Sequence, residues 1–272
     1  MSQLPILTDR TALARNRARA NPRDLFLQAA AIDEAQDRLA MVNRTFTDIA
    51  VVTPFPQSWG QAFPEARIVP DDETLALDPG AHDLVIHAMC LHWANDPVGQ
   101  LVQCRRALRP DGLALVFCLG GQTLAELRAA LAQAEIAETG GLSPRVLPMA
   151  EIRDLGALLQ RAGFALPVAD SRKLTAEYRD LAHMMRDLRA MGEGNAMAER
   201  LRRPTRRAVF ARAEAIYRAA GETAAGGLPA TFEIISLTGW APATGQPQPL
   251  RPGSARTRLA DVLGTTETPL KD

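Results

Sequence analysis

The chain has 272 residues, and its 31 basic and 31 acidic side chains give a formal net charge of zero. This length is sufficient to bury a full hydrophobic core, and we expect one enlarged α/β domain rather than two domains. The charge balance excludes a nucleic-acid-binding protein that relies on bulk positive charge, and the sequence lacks the apolar run of about 18 residues that a transmembrane helix needs.

Cysteine usage bears on metal binding and on the cell compartment. Cys90, Cys104 and Cys118 are isolated and odd in number, and neither zinc-ligand spacing nor a disulfide framework is present. We therefore predict no metal site and a reducing, cytoplasmic location. The N-terminus contains several arginines without the apolar core of a secretory signal, and an arginine-rich organelle transit peptide stays as the alternative.

Residues 1–47 are predicted to form a helical lead-in to the main domain. Asn21 and Pro22 have helix-start chemistry, and the apolar positions of the following LFLQAAAIDEAQDRLAMV continue the helix. The short β-branched segment 48–53 is predicted to be the first strand of a domain that extends to residue 240.

Residues 81–119 predict a strand, a loop, a helix and a second strand. The apolar run that begins at Leu84 suits a strand buried on both faces of a parallel sheet. Asp96 can cap the following helix, and Pro97 at its first position has no N–H to leave unsatisfied. The segment LRPDG ends that helix and leads into LALVFCL, another interior strand. Ligands in open α/β sheets bind at the carboxyl ends of such strands.

The segments HDLVI, LHWANDP and LRPDG resemble the fourth strand, the following loop and the start of the fifth strand of class I S-adenosylmethionine-dependent methyltransferases. More closely, they are similar to the subgroup of biotin-pathway malonyl-carrier-protein methyltransferases and methyltransferase-like assembly factors of respiratory complex I. Later segments resemble the assembly factors: GGQTLAELRAAL, GGLSPRV, DLGALLQRAGF, MRDLRAMGEGNA and LPATFEII. The resemblance implies a Rossmann-like fold with a mostly parallel sheet and a helical insert at about 178–220.

The same resemblance assigns candidate site residues. The cofactor-binding positions that it implies are Thr53, Asp71, Asp72, His87, Ala88 and Met89. The substrate-side positions are His92, Trp93, Glu193 and Asn195. For the acids at 71–73, simple solvation in a loop is the alternative, and for His92 and Trp93 the alternative is packing. No catalytic residue is assigned.

Two departures from the family pattern affect the cofactor side. Where a Gly-rich turn would follow the first strand, the chain has PFPQSW before Gly60, so that two N–H donors are missing and bulk is added. Between Gly60 and Arg67 we expect one short turn, because a helix, a second strand and its ribose-binding carboxylate would need more residues. We therefore predict that the second strand and this acid are missing.

These departures predict weak or lost binding of S-adenosylmethionine. The missing groups would have made charge-assisted hydrogen bonds worth about 1.5–3 kcal/mol each. Because about 1.4 kcal/mol changes affinity tenfold, two such losses reduce it by orders of magnitude.

The second half of the chain continues the alternating pattern. Thr123 and Glu126 have the spacing of a capping box for the next helix, and a further helix and strand are expected at 150–162 and 164–169. The last strand is predicted at 231–238, and the Pro- and Gly-rich residues 241–272 are predicted to form a partly disordered tail.

The insert carries two patterns with more than one interpretation. Its methionines at helical spacing, from Met184 to Met191, are typical of core packing or of an adaptable lid beside a pocket. Its six arginines between Arg200 and Arg212 are typical of a solvated face, or of a surface that docks an acidic protein or an anionic membrane.

Three functions are compatible with the sequence. The first is a complex I assembly factor with a degenerate cofactor site that binds or modifies a subunit. The second is an active S-adenosylmethionine-dependent enzyme that methylates a protein or a small carboxylate, or modifies an arginine of a subunit as the resemblance implies. The third, a carrier-protein carboxyl methyltransferase of biotin synthesis, is disfavoured by the altered cofactor side.

Overall fold

The computed structural model describes residues 6–247 and 257–266. The chain divides into two compact units, residues 1–242 and residues 243–272. Part of the tail that was predicted to be disordered, residues 248–256 and 267–272, lies outside the described residues. The predicted limits of the lead-in, domain and tail stay predictions.

The first unit is organised around one six-stranded sheet. Its strands are β1 (Ile49–Val52), β2 (Arg67–Val69), β3 (His82–Ala88), β4 (Leu108–Leu119), β5 (Ala165–Tyr178) and β6 (Leu228–Trp240). The strand order is β2-β1-β3-β4-β6-β5. The first four strands are parallel, and β6 is antiparallel to both β4 and β5. The mostly parallel, Rossmann-like α/β sheet predicted from the sequence is therefore confirmed.

Eight α-helices are described between residues 6 and 242, and they connect and cover these strands. They are α1 (Arg10–Arg17), α2 (Phe26–Met41), α3 (Pro56–Ala62), α4 (Pro97–Ala107), α5 (Ala125–Thr139), α6 (Ile152–Arg161), α7 (Leu181–Ala190) and α8 (Arg207–Ala220). Alternate strand residues face two separate hydrophobic clusters: Val51 packs with residues of α2, α5, α7 and α8, and Val52 packs with residues of α4 and α6. In the described part of the chain, no helix has the length and apolar character needed to cross a membrane.

The predicted absence of a separate second strand is confirmed by the pairing of β1. Val51 pairs directly with Ile68 of β2, so no strand lies between β1 and the segment that precedes the acids at 71–73. The short turn predicted between Gly60 and Arg67 lies at residues 63–66. It follows helix α3, which was not predicted and which starts at Pro56 because proline suits the first helical position.

Trp59 of α3 is a core residue. Its side chain is fully buried, its ring stacks on Phe63 with centroids 6.0 Å apart, and it lies 6.4 Å from the ring of Phe117. Its indole Nε1–H donates to Gln28 Oε1 at 2.9 Å. The bulk that replaces the expected Gly-rich turn is therefore built into the layer between α2 and the sheet.

The predicted capping box at the start of α5 is wrong. The residue that caps this helix is Leu124, in a left-handed conformation with φ of 52°. Thr123 Oγ1 instead donates to the carbonyl of Glu233 at 3.3 Å and accepts from its N–H at 3.1 Å. Glu126 accepts a hydrogen bond from the N–H of Thr231 at 3.4 Å. Both side chains therefore connect α5 to β6.

Strand β5 is longer than the predicted strand and continues to Tyr178. The helical insert follows it and lies between β5 and β6. Helices α7 and α8 form the insert, and the methionine pattern is mainly core: Met184 and Met191 are buried, and Met185 is half-buried. The second unit contains α9 (Leu259–Leu263), within the tail that was predicted to be partly disordered.

We expect Trp59→Ala to reduce the free energy of unfolding by about 3–5 kcal/mol, because it leaves a cavity in the core and an unpaired Gln28 oxygen. Urea unfolding followed by circular dichroism measures this loss. Gln61→Ala, at an exposed position of the same helix, is the matched control and should change stability little. Similar losses for the two variants would contradict the core position of Trp59.

Candidate functional site

The carboxyl ends of β1, β2 and β3 bring the predicted cofactor-side residues to one edge of the sheet. The Thr53 N–H donates to the carbonyl of Val69 at 2.9 Å, which joins the first two strand ends. Thr53, His87, Ala88 and Met89 are each at most 1% exposed. The Thr53 hydroxyl accepts a hydrogen bond from the Phe55 N–H at 3.1 Å. Protein atoms therefore cover these four positions.

Asp71 is held by two arginines from α1. Arg17 Nη1 lies 2.9 Å from one carboxylate oxygen of Asp71 and 2.7 Å from the other, and Arg10 Nη1 lies 3.4 Å from the second oxygen. The side chains of Arg17 and Asp71 are only 9% and 10% exposed. A carboxylate that the sequence assigned to the cofactor side is therefore paired within the chain.

The segment that supplies these arginines is fixed at several points, and we call residues 7–21 the N-terminal strap. Thr8 forms a β-bridge with Met197, and Asn16 Nδ2 donates to the carbonyl of Gly194 at 2.9 Å. At the other end, the Asn21 N–H donates to the carbonyl of Ala190 at 2.7 Å. Gly192 has φ of 79°, and a Cβ there would lie 3.2 Å from Arg17 Cα. The strap thus links the cofactor side to the turn after α7.

His87 has a structural hydrogen bond. Its Nε2 lies 3.1 Å from Gln100 Oε1, while Gln100 Nε2 donates to the backbone carbonyl of Asp72 at 2.7 Å. Burial lowers the pKa of His87, so the neutral ring donates through Nε2. Asp72 is exposed and contributes its carbonyl, rather than its carboxylate, to this chain of bonds.

A polar cleft of about 720 Å³ lies beside Asp71. Its lining includes Glu73 and the strap residues Thr8 and Arg10. Asn95, also in the lining, accepts hydrogen bonds from the N–H groups of Leu7 and Thr8 at 3.0 and 2.9 Å. Much of the polar lining is therefore already bonded within the chain.

On the predicted substrate side, Glu193 is held by both residues of the His92-Trp93 pair. Trp93 Nε1–H donates to Glu193 Oε2 at 2.8 Å. His92 Nδ1 accepts from the Leu119 N–H at 3.4 Å, and His92 Nε2 lies 3.5 Å from Glu193 Oε2. Burial by itself would raise the pKa of Glu193, but His92, together with the charge of Arg17, holds this pKa below its usual value. The buried carboxyl is therefore ionised.

Asn195 fixes the turn that carries Glu193. Its Nδ2 donates to the carbonyl of Pro144 at 2.9 Å, and its Oδ1 accepts from the Met197 N–H at 3.0 Å. The amide thus connects this turn to the loop after α5.

Trp93, Glu193 and Asn195 line one cavity of about 270 Å³. His92 lies behind the wall, in contact with Glu193. The lining residues are Leu27, Trp93, Leu119, Thr123, Leu124, Leu127, Leu131, Arg145, Val146, Leu147, Met149, Met185, Leu188, Arg189, Glu193, Gly194, Asn195, Phe210 and Phe232. Most of them were not assigned from the sequence, because their apolar spacing predicts helix packing without saying which helices leave a space between them.

A buried ion pair fixes one wall of this cavity. Arg145 Nε and Nη2 lie 2.9 and 2.6 Å from the Glu135 carboxylate oxygens, and Arg145 Nη1 donates to Thr205 Oγ1 at 2.8 Å. The Arg145 hydrogen bonds, with those of Ser143, lower the pKa of Glu135 to about 2. The loop after α5 is therefore tied both to α5 and to the segment that precedes α8.

Comparisons with known proteins show which proteins the chain is similar to. A family model described as a methyltransferase domain matches residues 27–116, which include α2 to α4 and the ends of β1 to β3. The chain is 39% identical over 197 residues to a protein of Dictyostelium discoideum named arginine-hydroxylase NDUFAF5, mitochondrial. Residues 27–116 thus match a methyltransferase domain, and the chain is similar to methyltransferase-like proteins.

Two further relatives represent the two groups that the sequence resembles. The Danio rerio arginine-hydroxylase NDUFAF5, mitochondrial, is 37% identical over 199 residues, and the malonyl-[acyl-carrier protein] O-methyltransferase of Laribacter hongkongensis is 38% identical over 178 residues. The alignments cover 72%, 73% and 65% of this chain for the Dictyostelium, Danio and Laribacter proteins. They cover 45%, 62% and 57% of those relatives, respectively, so the chain spans about half the length of the proteins that it matches.

We expect Arg17 and Asp71 to be strongly coupled, because either residue alone would be a buried charge without its main partner. A double-mutant cycle of Arg17→Ala and Asp71→Ala, measured by urea unfolding, should give a coupling energy of at least about 1.5 kcal/mol. The control cycle is Arg67 and Asp78, an ion pair with side chains 46% and 73% exposed, which should give about 0–1 kcal/mol. Equal couplings would contradict the buried role of Arg17.

We expect Glu135→Gln to destabilise the protein in a pH-dependent manner. The pKa of Glu135 is lowered from 4.5 to about 2, so the carboxylate stabilises the folded state above its unfolded-state pKa, and this contribution is lost as pH falls toward 2. The difference in unfolding free energy between the wild type and the variant should therefore be largest above about pH 5 and should decrease below it. A difference that stays constant down to pH 2 would contradict this account.

Proposed function

We propose that this chain is a methyltransferase-like protein with a closed cofactor site, which assists the assembly of respiratory complex I by binding or modifying a protein subunit. The observation that supports this function best is the pairing of Asp71 with Arg17 and Arg10. The resemblance of the late segments to the complex I assembly factors indicates the partner.

The residues on the cofactor side, as they are arranged, do not fit S-adenosylmethionine. A ligand that uses the Asp71 carboxylate must displace Arg17, whose two short contacts are charge-assisted hydrogen bonds worth about 1.5–3 kcal/mol each. Thr53 and Met89 are buried, and the Thr53 hydroxyl already has a partner. Pro54 and Pro56 provide no N–H groups where the family has a Gly-rich turn.

The substrate side supports a binding function that does not require the cofactor. The cavity remains open, and its ionised Glu193 is fixed by Trp93 and by the turn that Asn195 holds. The relatives from Dictyostelium and Danio are named arginine hydroxylases. Modification of a subunit's arginine is therefore the enzymatic form of this proposal.

The location is proposed to be cytoplasmic, with peripheral contact to a membrane surface through the arginine-rich segment 200–212. The relatives from Dictyostelium and Danio are named as mitochondrial proteins, so a location inside an organelle is the alternative.

The alternative function is an active S-adenosylmethionine-dependent methyltransferase that acts on a protein or a small carboxylate. Two observations favour it: the polar cleft beside Asp71 and Glu73, and the similarity to the Laribacter carboxyl methyltransferase. In this function the N-terminal strap would have to move to release Asp71.

Calorimetric titration of the full chain with S-adenosylmethionine tests the closed site. We expect a Kd weaker than about 100 μM, because binding must break the pair between Arg17 and Asp71. Arg17→Ala frees the carboxylate and should bind the cofactor at least about tenfold more tightly than Arg15→Ala, an exposed control on the same helix. Micromolar binding by the wild type would favour the alternative, and equal affinity of the two variants would exclude Arg17 as the obstacle.

Co-purification tests the partner. Arg200 and Arg212 are already bound to Asp9 and Glu138, whereas Arg203, Arg206 and Arg207 are exposed without an ion pair among the described residues. Replacement of these three by Glu should abolish co-purification of a complex I subunit, and Arg153→Glu with Arg161→Glu, exposed on α6, should preserve it. Retention of the subunit by the first variant would count against docking through this segment.

A further inference from the structure

The mouth of the 270 Å³ cavity lies between the loop after α5 and helices α7 and α8. Lining residues that are at least partly exposed mark this position: Val146 on the loop, Met185 and Arg189 on α7, and Phe210 on α8. The insert and the loop therefore control access to the cavity.

Both helices at the mouth place an arginine one turn away from an apolar lining residue. On α7, Arg189 follows Met185 by four positions, and on α8, Arg207 precedes Phe210 by three. Side chains at these spacings share one face of a helix. The mouth is therefore apolar on its inner side and cationic on its outer side.

The charges of these arginines are available to a ligand. No ion pair holds Arg189, Arg206 or Arg207 within residues 6–247 and 257–266, and all three are exposed. Arg145, in contrast, is neutralised by Glu135 and connects the wall to Thr205, just before α8. The rim consequently carries net positive charge, which favours an anionic group.

The interior favours an apolar group of limited size. Apolar side chains, including Leu127 and Leu131 of α5 and the rings of Phe210 and Phe232, form most of its wall. The polar side chains of Thr123, Glu193 and Asn195 already have partners. A volume of about 270 Å³ lies just below the range of about 300–1,000 Å³ that is typical of sites for whole small molecules. It is sufficient for one or two apolar side chains.

Apolar surface also continues outside the cavity. Ile136 is 53% exposed and Leu142 is 65% exposed. Ile136 follows Glu135 and Leu142 precedes Ser143, and the Ser143 hydroxyl donates to the Glu135 carboxylate beside Arg145. A ligand confined to the cavity would leave these side chains uncovered, whereas a polypeptide that crosses the mouth can cover them. Exposed apolar groups next to a charged rim are typical of protein interaction sites.

We infer that the mouth of this cavity docks an acidic, amphipathic segment of a partner protein. An apolar side chain of the size of Leu, Met or Phe enters the cavity, and carboxylates of the same segment pair with Arg189 and Arg207. This inference deepens the proposed protein-binding function, on which it rests, by locating the contact and giving the chemistry of the partner segment.

Selection from a random dodecapeptide library displayed on phage, with the full chain as the immobilised target, tests this chemistry without assuming a partner. We expect the enriched peptides to combine Asp or Glu with Leu, Met or Phe, and a synthetic copy to bind more weakly as salt concentration rises. Enrichment of basic or wholly polar peptides, or no enrichment, would overturn the inference.

Variants at the mouth test the location. Arg189→Glu should reduce the affinity for the selected peptide at least about tenfold by reversing a rim charge, and Val146→Trp should do the same by narrowing the mouth. Arg153→Glu, exposed on α6, is the charge-matched control and should bind like the wild type. Wild-type affinity in both mouth variants would overturn the inference even if the peptides are acidic.

A lipid-like occupant is distinguished by competition with dodecanoate, which has an apolar chain and a carboxylate. We expect dodecanoate to displace the peptide poorly, because it cannot cover Ile136 and Leu142. Displacement at a lower concentration than unlabelled peptide would assign the cavity to an acyl ligand and overturn the inference. None of these assays contains cofactor or a complex I subunit. A negative result in them would therefore overturn this inference without contradicting the proposed function, which has separate tests.

Discussion

Arg17 and Asp71 form a buried ion pair that connects the N-terminal strap to the carboxyl ends of the parallel strands. Removing two charges from water is costly, and such a pair persists only when its geometry offsets the desolvation. Arg17 contacts both Asp71 oxygens through Nη1, while its buried Nε and Nη2 have no hydrogen-bond partner among the described residues. Opening the strap would therefore expose a carboxylate at the carboxyl ends of the parallel strands.

The same strap also shapes the substrate side. Because Arg17 packs on Gly192 and Asn16 binds the carbonyl of Gly194, the turn between these glycines is held in one position. That turn carries Glu193 into the cavity wall, where Trp93 binds it. The strap thus contacts both Asp71 and the turn that lines the cavity, and these joint contacts are the basis of the proposed closed cofactor site.

Local sequence signals predicted the elements that depend on local chemistry. Asp96 accepts from the Gly99 N–H at 2.8 Å and Pro97 begins α4, as the sequence indicated. The length of the interval before Arg67 correctly predicted that no strand would separate β2 from β1. Thr123 shows the limit of such signals, because its capping spacing is overridden by hydrogen bonds to Glu233, more than a hundred residues away.

The candidate site was less predictable than the local elements, because its contacts also join residues that are far apart in the sequence. The resemblance assigned Asp71 to the cofactor side, but its partner Arg17 is 54 residues away and has no spacing signal. The resemblance assigned Trp93, Glu193 and Asn195, and their roles stay predictions. The apolar wall of the cavity depends on how α2, α5, α7 and α8 pack, which periodicity alone does not determine.

Hydrogen exchange of the α1 amides, measured by mass spectrometry with and without millimolar S-adenosylmethionine, tests the central claim most directly. If the strap closes the cofactor side through Arg17 and Asp71, the cofactor should leave the protection of residues 10–17 and of residues 87–93 unchanged. Loss of protection in α1 together with increased protection at 87–93 would show that the strap yields to the cofactor, and would contradict the account.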